Sequence, residues 1–174
     1  MQEWDKSGYP SINISVNVSR IDIYNTNLVD FLTGLMQRYG LSPSRLHLEI
    51  TESAYTDTSR QLIETMGALR RQGFMIEMDD FGSGYSSLNM LTEMPIDVLK
   101  LDMKFIQTEI TRPTGQGILR FILDLARWMK LSVVAEGVET QEQLERLQNA
   151  GCDYAQGYYF AKPMPVENFV SILT

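Results

Sequence analysis

The 174-residue chain carries 15 Lys and Arg against 22 Asp and Glu, a net charge of −7. That length supports one domain with a real core over residues 1–174, and the acidity argues against non-specific binding to DNA or RNA; a phosphate-bearing ligand would need metal ions or local basic groups to offset the repulsion. No run reaches the roughly 20 apolar residues of a membrane span, and the lone Cys152 excludes an intramolecular disulfide and fits a reducing compartment, so a soluble, cytoplasmic chain is expected.

Along the chain, Trp4, Gly8 and Tyr9 read as the tail of a helix and a loop. Residues 11–18 are β-rich, and an amphipathic helix over about 28–39 stops at Gly40. A second strand is expected at 45–50, a helix at 58–72 ending at Gly73, and a third strand at 74–78. A short helix over 85–91 is closed by Pro95, and strand 98–101 follows. Helix 117–129, strand 132–135, helix 141–150 before Gly151, strand 154–160 and helix 166–173 after Pro165 complete the pattern.

Six alternating βα units imply a parallel sheet in an α/β fold, either open and doubly wound or a (β/α)₈ barrel. The polar residues favour the barrel. Asn17, Glu49 with Glu52, Asp79 with Asp80, Lys100 with Asp102, Glu136 with Glu139, and Gln156 all fall at the C-terminal tips of expected strands. A doubly wound sheet would concentrate such groups at one switch point and a Gly-rich loop, whereas a barrel mouth collects them from successive strands. Singly, each also fits a plainer role: Glu52 or Asp102 as a helix cap, Asn17 in a turn, Lys100 in solvent. Together they form a chemically specific set.

The segment "FMIEMDDFGSGYSSL" places two adjacent carboxylates where a strand ends and a Gly-x-Gly turn begins. Asn17, Glu49 and Asp79 can supply oxygens to one hard divalent cation, and Asp79 or Asp80 can bridge to a second, the ligand type Mg²⁺ or Mn²⁺ favours. Lys100 could orient or help deprotonate a water on the metal; Glu136 could hold a metal or accept a proton, and Gln156 could fix the water or a phosphate. The only histidine, His47, lies beside Glu49, and no Walker loop is present. A His-based zinc site or a Ser-His-Asp triad is not supported.

The strings "SVNVS", "LHLEITES", "MDDFGSGYSSL", "IDVLKLD", "VVAEGVET" and "GCDYAQGYYFAKPMP" resemble the successive motifs of the bacterial EAL domain, in order and over almost the whole chain. The resemblance implies a (β/α)₈ barrel in which two Mg²⁺ or Mn²⁺ ions cut one phosphodiester bond of cyclic di-GMP to give linear pGpG. By this resemblance Asn17, Glu49, Asp79 and Asp80 are metal ligands, Lys100 activates water, Glu136 has a catalytic metal-site role and Gln156 a supporting one. Glu52 resembles the residue that braces the loop after Asp80, and residues 81–87 resemble a metal-positioning and dimerisation loop. Asp102, Glu139, Tyr159 and Pro163 sit where the family meets the dinucleotide.

Three departures qualify the resemblance. The Glu-Ala-Leu tripeptide that names the family, whose glutamate is a metal ligand, does not occur, nor does the nearby phosphate-gripping arginine. Met103 stands where the family usually has arginine after Lys-x-Asp, with Lys104 next to it. A full barrel takes roughly 250 residues, about 31 per βα unit, so this chain has room for only between five and six units, and the first two strands are expected to be missing. An incomplete barrel is therefore expected, with open edges that favour self-association, rearrangement of the sheet, or closure by an N-terminal segment of a longer protein. Three functions compete: a cyclic di-GMP phosphodiesterase impaired by the absent glutamate, a non-catalytic cyclic di-GMP-binding or protein-interaction module, and an unrelated barrel enzyme with a Schiff-base Lys100.

Overall fold

The computed structural model describes residues 1–55, 60–82, 88–108 and 112–172. Six strands, β1 (Ile14–Asn17), β2 (Leu46–Thr51), β3 (Met75–Phe81), β4 (Val98–Leu101), β5 (Ser132–Ala135) and β6 (Tyr154–Ala155), form one sheet in the order β1-β2-β3-β4-β5-β6. Every neighbouring pair is parallel, and the sheet is an incomplete barrel of TIM type, with β1 and β6 as its two edges. The doubly wound alternative is excluded by this consecutive order, which has no switch point.

The helices are α1 (Gln2–Lys6), α2 (Arg20–Ile23), α3 (Leu28–Arg38), α4 (Arg60–Arg71), α5 (Leu88–Glu93), α6 (Met103–Thr108), α7 (Pro113–Met129), α8 (Gln141–Ala150) and α9 (Val166–Val170). Short α2 and α6 had no separate sequence signal. α4 and α8 end at Gly73 and Gly151, both at positive φ, where a side chain would clash with its own backbone. The expected strand over 154–160 is shorter, because pairing with β5 stops at Ala155 and residues 158–160 turn away. β3 instead runs longer than expected and includes both Asp79 and Asp80.

Strand alternation divides the sheet into two faces. Leu48, Ile50, Ile76, Met78, Leu99 and Val133 point outward and are essentially inaccessible, packed in one core with Leu62, Met66 and Leu69 of α4 and Leu119, Leu123 and Ala126 of α7. Burying each such side chain stabilises the fold by roughly 1.5–3 kcal/mol. The alternate residues face the barrel interior, and most of them, toward the C-terminal ends of the strands, are polar.

Two aspartates fasten the strand beginnings below this polar face. Asp97 accepts from the Ile76 amide at 2.9 Å while binding Arg70, and Asp153 accepts from the Val133 amide at 2.8 Å. Each replaces a ladder bond where the chain enters a strand. At the far end, the Trp4 and Phe169 rings lie 5.7 Å apart, so α9 rests against α1.

Candidate active site

The mouth of the incomplete barrel is built from the ends of the strands. Asn17 pairs in register with Glu49, and Thr51 with Asp79. Beyond β4 and β5 the ladder continues for one residue: the Glu136 amide donates to Leu101 at 3.1 Å and the Gln156 amide to Ala135 at 2.8 Å. The inward side chains Glu49, Asp79, Lys100, Glu136 and Gln156 therefore come from five successive strands or their ends.

Lys100 is the centre of the cluster. Its side chain is only 5% exposed, and Nζ lies 2.7 Å from Glu49 Oε1, 2.7 Å from Glu136 Oε1 and 3.2 Å from Asp79 Oδ1. Burial alone would lower the ammonium, but hydrogen bonds to Glu136 and Glu49 and the charge of Asp79 outweigh it and hold its pKa above that of an ordinary lysine. Lys100 is thus a fixed cation held among three carboxylates.

Asp79 and Asp80 are consecutive, and in a regular strand they would face opposite ways. Here the register with β4 shifts between Met78 and Phe81, and Asp80 takes a left-handed backbone, φ 58°. The irregularity turns Asp80 inward, so that single oxygens of Asp79, Asp80 and Glu136 all lie within 4.8 Å of one another. Burial, then the neighbouring charges of Asp79 and Asp102, push the Asp80 carboxyl above the usual range. Burial raises Glu136 likewise, against the opposing pull of Lys100. Carboxylates crowded at a site that raises their proton affinity are a donor set suited to divalent cations.

Glu52, buried in a single 3₁₀ turn after β2, accepts from the Gly82 amide at 3.2 Å and so ties down the chain leaving Asp80. Of the segment expected to position metal and dimerise, Phe81 and Gly82 are described; residues 83–87 lie outside the described residues. Asp102 is buried and accepts from the Lys104 amide at 2.8 Å, capping α6, while it also lines the mouth. Glu139 accepts from Gln107 Nε2 at 3.2 Å.

A cleft of about 520 Å³ opens over the cluster, with Asp80, Asp102, Glu136, Glu139 and Gln156 in its wall. Met103, which departs from the family's usual arginine, also lines it, as do Tyr158 and Gln107, neither of which stood out as a site residue in sequence; Tyr158 lies within the aromatic run after Gln156, and Gln107 carries no motif. Tyr159 and Pro163 are not in this wall: Pro163 borders an adjacent groove, and the Tyr159 ring stacks edge-on against Phe160. Asn17 is exposed on edge strand β1.

Residues 1–163 match the family model described as "EAL domain". The chain belongs to the EAL domain family. The cyclic di-GMP phosphodiesterase RocR of Pseudomonas aeruginosa is 38% identical over 159 residues, 91% of this chain and 41% of that protein. A solved PaMucR phosphodiesterase in complex with c-di-GMP superposes with a TM-score of 0.88 at 38% identity, covering 97% of this chain and 68% of the other. A manganese and cyclic di-GMP complex of Klebsiella pneumoniae BlrP1 gives 0.84 at 29% identity, covering 93% and 42%. This EAL chain spans less than half the length of the curated relatives it matches. Among its described residues no helix is long and apolar enough to cross a membrane.

Proposed function

We propose that this EAL domain binds cyclic di-GMP in the cleft at the strand ends and hydrolyses one phosphodiester bond to pGpG. The observation that carries this reading is the meeting of Asp79, Asp80 and Glu136 around one point, with Lys100 bridging Glu49, Asp79 and Glu136 beside it. Relatives named as cyclic di-GMP phosphodiesterases and a neighbour crystallised with manganese and the dinucleotide support it.

In this reading Glu49, Asp79, Asp80 and Glu136, with Asn17 from the edge strand, hold Mg²⁺ or Mn²⁺. Bound divalent cations supply the positive charge that an acidic mouth needs to receive a phosphodiester, and they acidify an attacking water. Lys100, held among Glu49, Asp79 and Glu136, keeps these carboxylates in place and, as a fixed cation beside them, orients the attacking water. Gln156 hydrogen-bonds the water or a phosphate oxygen. Glu52 keeps Asp80 inward through Gly82, and Asp102 and Glu139, with Tyr159 and Pro163 at the periphery, meet the nucleotide.

The test is chromatographic detection of pGpG after incubating the purified chain with cyclic di-GMP and Mn²⁺, beside an Asp80→Asn control. Asparagine tolerates the left-handed backbone of position 80, so the control removes charge and keeps the fold. The reading expects product from the parent chain and at least a hundredfold less from the variant. The absence of a Glu-Ala-Leu tripeptide favours a second reading, a binding module that takes up cyclic di-GMP without turnover. It expects nucleotide binding and no pGpG from either protein.

A further inference from the structure

Among the described residues, a part-buried ionisable pair lies outside the ligand set proposed above. His47 Nδ1 is 2.6 Å from Glu77 Oε1, and the two side chains are 16% and 6% exposed. Both face the barrel interior: His47 is two residues before Glu49 on β2, and Glu77 is two residues before Asp79 on β3. In register Glu77 sits between Glu49 on one side and Val98 on the other, one step below Lys100.

The interior is thereby crowded with carboxylates. Lys100 hydrogen-bonds Glu49 and Glu136 and pairs in charge with Asp79 at 3.2 Å. Glu77 is a fourth acid of the same wall, level with Val98 on β4 and so two residues below Lys100 on the adjacent strand. A buried carboxylate without a donor is costly, so it takes whatever cation or N–H donor is near. The imidazole of His47 fills that need from below.

We infer that His47 is a positioning residue for Lys100: by holding Glu77 it keeps a competing carboxylate off the ammonium, leaving Lys100 on Glu49, Asp79 and Glu136. The effect on the reaction rests on the phosphodiesterase reading above; the effect on Lys100 does not.

The test compares His47→Leu, Glu77→Ala and the double variant in the full 174-residue chain, first by crystal structures without metal or nucleotide. In His47→Leu, Glu77 is expected to lie within hydrogen-bond distance of Lys100 Nζ, having displaced Glu136 from it; in the double variant Lys100 is expected back on its three acids. Turnover of cyclic di-GMP with Mn²⁺ then reads the consequence: kcat at least tenfold lower in His47→Leu with KM within threefold, and kcat within threefold of the parent in the double variant. A purely structural histidine would not be rescued by removing its partner. His47→Ser reports the same displacement should leucine prevent folding. Lys100 unmoved in His47→Leu, or a double variant no better than His47→Leu, overturns the inference. A parent chain without turnover overturns the phosphodiesterase reading alone, and the crystal structures still decide the position of Lys100.

Discussion

Lys100 compensates the charge of three carboxylates that would otherwise face one another in a part-buried space. Removing one partner of a buried ion pair commonly costs about 3–5 kcal/mol because the uncompensated charges stay behind. Lys100→Met is therefore expected to destabilise the metal-free chain by about 3 kcal/mol, and Mn²⁺ is expected to restore most of that by supplying the missing positive charge. Denaturant unfolding with and without Mn²⁺ checks both halves; equal destabilisation in the two conditions would argue against a metal-binding cluster. Cys152 is a contrasting residue. Burial pushes its thiol from 9.0 up to about 11, above the opposing pull of the Tyr154 backbone. The folded pKa is the higher one, so the thiol's contribution to stability is present below pH 9 and fades as pH rises toward 11. Alkylation by iodoacetamide should accordingly be slow near neutral pH, much faster in the unfolded chain, and should climb steeply only as pH approaches 11.

At the scale of elements, the polar tips of the strands were legible from the sequence because alternation and strand order together dictate which residues share the mouth. Lys100, Glu49, Asp79 and Glu136 needed only those two rules. The placement of Asp80 did not follow from them, since a shifted register and a left-handed residue leave no periodic trace in the sequence. The pairing of His47 with Glu77 was hidden for a related reason: in sequence the histidine's evident neighbour is Glu49, while its partner comes from the adjacent strand. The turn after β6 shows how closely these ends are fitted. A Cβ on Gly157 would stand 2.2 Å from the Val138 carbonyl oxygen, a backbone atom that cannot step aside. Gly157→Ala should cost about 1–3 kcal/mol, the range of overpacking, and loosen Gln156 beside it. A thermal melt unchanged from the parent would contradict so close an approach.

For the molecule as a whole, the consecutive six-stranded order leaves β1 and β6 without an outer strand neighbour among the described residues. The number of βα units in the sequence anticipated this, because chain length per unit is nearly constant in barrels. An opened barrel would also be expected to expose apolar interior side chains. The structure gives a more mixed picture: the inner face is largely polar, and the exposed aromatics Tyr154, Tyr158 and Phe160 gather at and beyond β6. Open strand edges with aromatic flanks favour pairing with another chain. Sedimentation velocity over a wide concentration range is expected to show reversible association at micromolar concentrations. A single monomeric species throughout would refute that expectation.

The central claim is that Asp79, Asp80 and Glu136 gather to hold divalent metal. Anomalous diffraction from crystals soaked in Mn²⁺ tests it most directly, since the signal reports the ion and no assumption about turnover enters. The account predicts strong peaks bounded by these three carboxylates, with Glu49 beside them. Peaks elsewhere, or a cluster still closed around Lys100 at saturating Mn²⁺ with no anomalous signal, would contradict it.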